Sequence, residues 1–147
     1  MLSRIAESLF WIGRYIERSD GTARILEVHL QLLLEDPWVE EDLACRSLLG
    51  VMGVDVERGT PVRRADVLQL LAVDRSQPAS IAYSLGAARE NARRAREVVS
   101  TELWEVLNTT RARMPRKVAS DKVHEFFEWV RDRAALAVGI LESSTSR

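Results

Sequence analysis

The sequence predicts an all-α protein, a helical bundle of about five to six helices, three of them long. Apolar residues recur at three- and four-residue spacing over long stretches, and no turn dipeptide stands between alternating, strand-like runs. The four prolines fall at the joins between those stretches, where helices stop and restart. The joins are short, and none is long enough to divide the chain. Residues 1–147 therefore read as a single domain.

The first helix is expected from Ser3, as cap, to about Leu34. Asp36 and Pro37 then suit a fresh start, and Gly50 a stop. A loop, "GVMGVDVERG", separates that helix from a short one running from Thr60-Pro61 through Leu71. Gln77-Pro78 opens a long helix to about Ser100. "TELWEVLNTTRAR" forms a shorter helix before Pro115, and a last long helix covers about Val118 to Leu141. The tail "ESSTSR" is polar and expected to fray.

Projection at 100° per residue sorts the faces. On the first helix Ile5, Leu9, Ile12, Ile16, Ala23, Leu30 and Leu34 form a core stripe. Phe10, Trp11, Ile25, Val28 and Leu32 lie opposite, beside Glu7, Arg14, Glu17, Arg18 and Gly21. So many large apolar groups on the second face predict that this helix is covered on both sides, with its charges between helices. Helix-interior glycine costs about 0.8–1.0 kcal/mol relative to alanine, so Gly13 and Gly21 suggest a close neighbour. The Pro78 helix buries Ile81, Leu85, Ala88, Ala92, Ala95 and Val99, with arginines along one flank. The last helix carries a stripe from Val123 to Leu141 and a second patch of Trp129, Leu136 and Ile140. That patch predicts a partner or a homo-oligomer formed through the last helix.

Composition excludes several functions. The 147 residues carry 21 Lys+Arg against 22 Asp+Glu, a net charge of −1, without the basic excess of a nucleic-acid binder. In "ARENARRARE", Glu90 and Glu97 would repel phosphates and no aromatic is present to stack bases. Nearly all the positive charge is arginine, which suits fixed, planar contacts. Cys45 is the only cysteine, so no intramolecular disulfide forms; its acidic surroundings disfavour a reactive thiolate and mark it as a small core residue. Glu27 and His29 lie on different faces, and His124 with Glu128 stands alone, so no metal site is expected. No nucleophile elbow or phosphate-binding glycine loop occurs. No apolar run reaches the ~20 residues of a membrane span. A cytoplasmic protein without cofactor is the simplest expectation.

The charged stretch "WIGRYIERSDGTAR" carries the candidate site. Arg14, Glu17, Arg18 and Gly21 share a face. Their charges form either an interhelical ion network or, through Arg14, Arg18, Arg89 and Arg93, a grip for a carboxylate or phosphate.

"MLSRIAESLFWIGRYIERSDGTARILEVH" and "QPASIAYSLGAARENARRAREVVSTELWEVLN" resemble the two recurrent blocks of the bacterial alpha-E domain proteins, a helical family with a Glu-Arg motif. The pair falls on Glu17 and Arg18, with Arg14 and Arg24 around it. An Ala-Arg-Glu-Asn element falls on Ala88, Arg89, Glu90 and Asn91, and a Glu-x-Trp on Glu102 and Trp104. Two positions depart: Gly21 stands where the family usually has Asn, and Gln77 precedes Pro78 in place of Asn. Members are generally longer and repeat the motif, so the resemblance implies the N-terminal half of that pattern. It also implies a peptide- or amide-bond-forming or peptide-modification system with an ATP-grasp ligase-like partner and a transglutaminase-like peptidase partner. On that basis the chain is expected to be a noncatalytic component. Its network of Arg14, Glu17, Arg18, Arg24, Arg89, Glu90, Asn91, Arg93 and Glu102, beside Trp11 and Trp104, would dock a partner or an acidic peptide. The alternatives are an enzyme using Glu17 or Glu90 as general base and a purely structural oligomerisation domain.

Overall fold

The structure, a computed structural model, describes residues 2–145. Among them are six α-helices and no strand: α1 (Leu2–Glu35), α2 (Glu41–Val51), α3 (Arg64–Leu68), α4 (Ile81–Arg94), α5 (Thr101–Arg113) and α6 (Val123–Thr145). α3 continues as a π-helical turn over Gln69–Val73, and a 3₁₀ turn over Ser120–Lys122 leads into α6.

α1 has 34 residues, about 51 Å at 1.5 Å per residue, and is the spine. α4 and α6 pack along it, and α5 closes onto α4 and α6. The core follows the spine in two clusters. Ile12 and Ile16 meet Ala88, Ala92, Val99, Leu103, Leu107 and Ala137. Further along, Ala23, Leu26 and Leu30 meet Leu49, Val67, Leu71, Ile81, Leu85, Phe127 and Val130. Ala88 and Ala92 of α4 are fully buried in this packing.

Local chemistry moved several boundaries. Residues 36–39 do not begin a helix: Asp36 accepts from the Trp38 N–H and forms a turn. α4 begins at Ile81 because the Ser80 hydroxyl accepts from the Tyr83 N–H at 2.9 Å, an N-cap two residues beyond Pro78. It ends at Arg94, not near Ser100, where a new cap accepts from Leu103 N at 3.1 Å. The loop before α3 is tied to α2. Asp42 accepts from Val62 N at 2.6 Å and from Arg46 Nε at 3.0 and 3.2 Å, while Arg46 donates to the carbonyls of Glu57 and Thr60. These contacts hold the Asp42 carboxyl below its ordinary range, the Val62 N–H contributing most. Cys45 is buried, and burial followed by Glu41 and Asp42 pushes its thiol up to about 11.

The expected covering of α1 on both sides is overturned. Phe10, Ile25, Val28 and Leu32 are exposed, as is Leu34, and Trp11 is half-buried. α4 and α6 pack on its other side, and this outer face stays exposed. A Cβ added at Gly21 would touch nothing within 4 Å, whereas one at Gly13 would meet Leu141 Cδ2 at 3.5 Å. Only Gly13 has the predicted neighbour. The second patch of α6 is covered in part from within the chain. Trp129 and Ile140 pack against the core, and Arg133 is drawn onto α5. It donates to Thr110 Oγ1 at 2.8 Å, Val106 O at 3.1 Å and Thr109 Oγ1 at 2.6 Å. Only Leu136 remains exposed there.

Candidate functional site

Four arginines and one carboxylate line a cleft of about 500 Å3 between α1, α4, the end of α5 and the turn before α4. Arg75 reaches in from the turn, Arg89 and Arg94 from α4, and Arg111 from α5; Tyr15 of α1, Tyr83, Gly86 and Met114 complete the walls. A volume in this range suits a small ligand or a few side chains.

The cations differ in what holds them. Arg89 is half-buried. Its Nε donates to Asn108 Oδ1 of α5 at 2.6 Å, and its guanidinium lies over the Trp104 ring, 5.3 Å from the centroid. Arg96 approaches the same ring at 5.4 Å, so Trp104 serves as a shared cation–π platform. Arg75 donates to the Met114 carbonyl at 3.3 Å. Arg111 is exposed and forms no side-chain ion pair among the described residues.

Glu90, the one carboxylate, is already occupied. Arg93 Nε bridges both of its oxygens at 3.1 Å, Arg93 Nη2 lies at 2.5 Å, and Arg94 Nε at 3.8 Å. Arg93, with Arg94 and Arg89 beyond it, holds the Glu90 carboxyl below its usual range. Asn91 lines the cleft and donates to the Ala87 carbonyl of its own helix at 2.9 Å.

The residues singled out from sequence therefore divide. Arg89, Glu90 and Asn91 meet in the cleft, with Arg93 behind Glu90 and Trp104 beneath Arg89. Arg14, Glu17 and Arg24 do not reach it. Arg14 and Glu17 face each other at 3.5 Å with half or more of each side chain exposed, and Arg24 pairs with Asp20 at 2.9 Å on open surface. Their expected place between helices is corrected: the outer face of α1 is uncovered, so these pairs are solvated. Glu102 lies exposed in the first turn of α5, outside the cleft lining. Arg18 is also exposed, but its guanidinium sits over the Tyr15 ring at 5.3 Å. Tyr15 is a cleft wall and stacks in turn on Trp11 at 5.8 Å. Of the Glu-Arg pair, Arg18 thus touches the cleft wall through one aromatic ring. Arg75, Arg111, Tyr83 and Asn108 were missed by sequence reading.

No group of three or more metal-ligating side chains occurs among the described residues. No helix of the described residues is long and apolar enough to cross a membrane.

The all-helical fold and the two blocks around Glu17-Arg18 and Arg89–Asn91 agree with comparison to known proteins. The model of the Alpha-E family, described as a predicted alpha-helical domain with a conserved ER motif, matches residues 1–147. The chain belongs to the Alpha-E family. Two uncharacterised mycobacterial proteins, from Mycobacterium bovis and Mycobacterium tuberculosis, are 30% identical to it over 74% of the chain. This Alpha-E chain matches 14% of the length of those relatives. No solved structure matches it.

Proposed function

We propose that this Alpha-E chain is a noncatalytic binding component of a peptide- or amide-bond-forming or peptide-modification system, and that its arginine-lined cleft holds an acidic segment of the peptide substrate or partner. The observation that carries this reading is the imbalance of the cleft, four arginines against a single carboxylate that Arg93 already neutralises. Arginine forks pair with carboxylates through two parallel hydrogen bonds, and each walled cation favours an anion. The ATP-grasp-like and transglutaminase-like partners follow from the family resemblance, and a cytoplasmic setting from the single cysteine. A protein contact is placed on the outer face of α1, where Phe10, Ile25, Val28 and Leu32 lie exposed beside Glu17 and Arg18.

The geometry does not favour an enzyme. A general base works best with a pKa near the working pH, and Glu90 is held low by Arg93. Glu17 faces solvent and Arg14 rather than an enclosed site.

The test is a titration with an N-acetylated, C-amidated tetraglutamate peptide, with tetraglutamine as control. Only the acidic peptide should bind. Gly86→Leu should abolish binding without lowering the melting temperature, since a side chain at Gly86 enters open space inside the cleft. Arg111→Ala should weaken it. Equal binding of both peptides, or a Gly86→Leu protein that binds normally, defeats the proposal.

A further inference from the structure

We propose that Arg89 receives one ligand carboxylate end-on, through its two terminal nitrogens, and that Asn108 is the positioning residue that enforces this orientation. The inference rests on the acidic-ligand reading of the cleft and specifies how that ligand is read.

A guanidinium offers a carboxylate two docking edges. The side edge uses Nε and one terminal nitrogen, and the end uses both terminal nitrogens. In this molecule the side edge is taken. Nε donates to Asn108 Oδ1 at 2.6 Å, and the guanidinium is seated on Trp104. The terminal nitrogens make no hydrogen bond among the described residues, yet Arg89 lines the cleft. They are the donors left for an occupant. Asn108 suits this role because its amide oxygen is a neutral acceptor. It fixes the fork without spending the positive charge, as Glu90 spends that of Arg93.

The surroundings favour carboxylates spaced along a peptide over a phosphate. Three further arginines, Arg75, Arg94 and Arg111, are spread around the walls, placed for separate single charges.

The experiment compares wild type, Asn108→Ala and Asn108→Asp by calorimetric titration with the same tetraglutamate probe, alongside melting temperatures and competition by inorganic phosphate. Asn108→Ala should weaken binding about tenfold, because the fork is no longer held. Asn108→Asp keeps shape and acceptor but supplies its own carboxylate to the fork, so it should weaken binding more than alanine does. Phosphate should not displace the peptide from wild type at equal concentration. Asn108→Asp binding as tightly as wild type would show that Asn108 only packs and would overturn the inference, as would displacement by phosphate. If wild type binds no tetraglutamate, the proposed function falls with it. If wild type binds and Gly86→Leu does not, while both Asn108 variants match wild type, the positioning role alone is lost.

Discussion

Gly21→Ala probes the uncovered face of α1 directly. Gly21 lies mid-helix in the 34-residue spine, next to the exposed Arg14, Glu17 and Arg18. An added Cβ meets nothing within 4 Å, so the substitution introduces no clash. It removes backbone freedom from the unfolded chain and gains helix propensity, about 0.8–1.0 kcal/mol. For a 147-residue chain the unfolding entropy implies about 3 °C of melting temperature per kcal/mol. Thermal melts followed by circular dichroism should therefore place the variant about 3 °C above wild type, at every protein concentration. A variant that melts below wild type would refute the reasoning. It would mean that something occupies the space beside Gly21, and that α1 is covered as the apolar pattern had suggested.

Three other perturbations follow from particular contacts. Arg133→Ala removes three hydrogen bonds from the α5–α6 seam. It should cost about 2–3 kcal/mol, read as a fall in the urea midpoint, with Arg133→Lys recovering only part of it. His29 is held below its ordinary pKa by burial, and its Nε2 is buried without a partner. Its neutral form supports the fold above about pH 6.5, and that support is lost as pH falls through and below that value. His29→Leu should therefore melt with a shallower acid dependence between pH 7 and 5. Asp42→Asn should lower the melting temperature and raise amide exchange at Val62, whose N–H it holds.

The all-helical class was legible because the stripes of α4 and α6 are regular, and Ile81, Leu85, Ala88, Ala92, Phe127 and Val130 are buried as the spacing required. The cleft was half legible. Arg89, Glu90 and Asn91 stood out as a charged cluster, but their neighbours come from elsewhere in the chain. The turn over residues 95–100 folds α5 back on α4, which sets Arg89 against Asn108 and brings Arg111 to the cleft that Gly86 lines. Running the α4 helix on to Ser100 hid that register, since the Ser80 and Ser100 caps that fix it are single side-chain hydrogen bonds. Arg75 gave no signal, because it lies in a turn whose position depends on the π-helical end of α3. The outer face of α1 misled for a different reason: apolar periodicity reports which faces are hydrophobic, not whether the chain has a helix to lay on each.

The most direct measurement is an amide chemical-shift map of the isotope-labelled chain during titration with tetraglutamate. Shifts concentrated at Tyr83, Gly86, Asn91 and Arg111, with those around Arg46 and on the outer face of α1 unmoved, are the predicted result. A map in which the cleft stays silent while other surfaces respond, or in which nothing moves, would contradict the account.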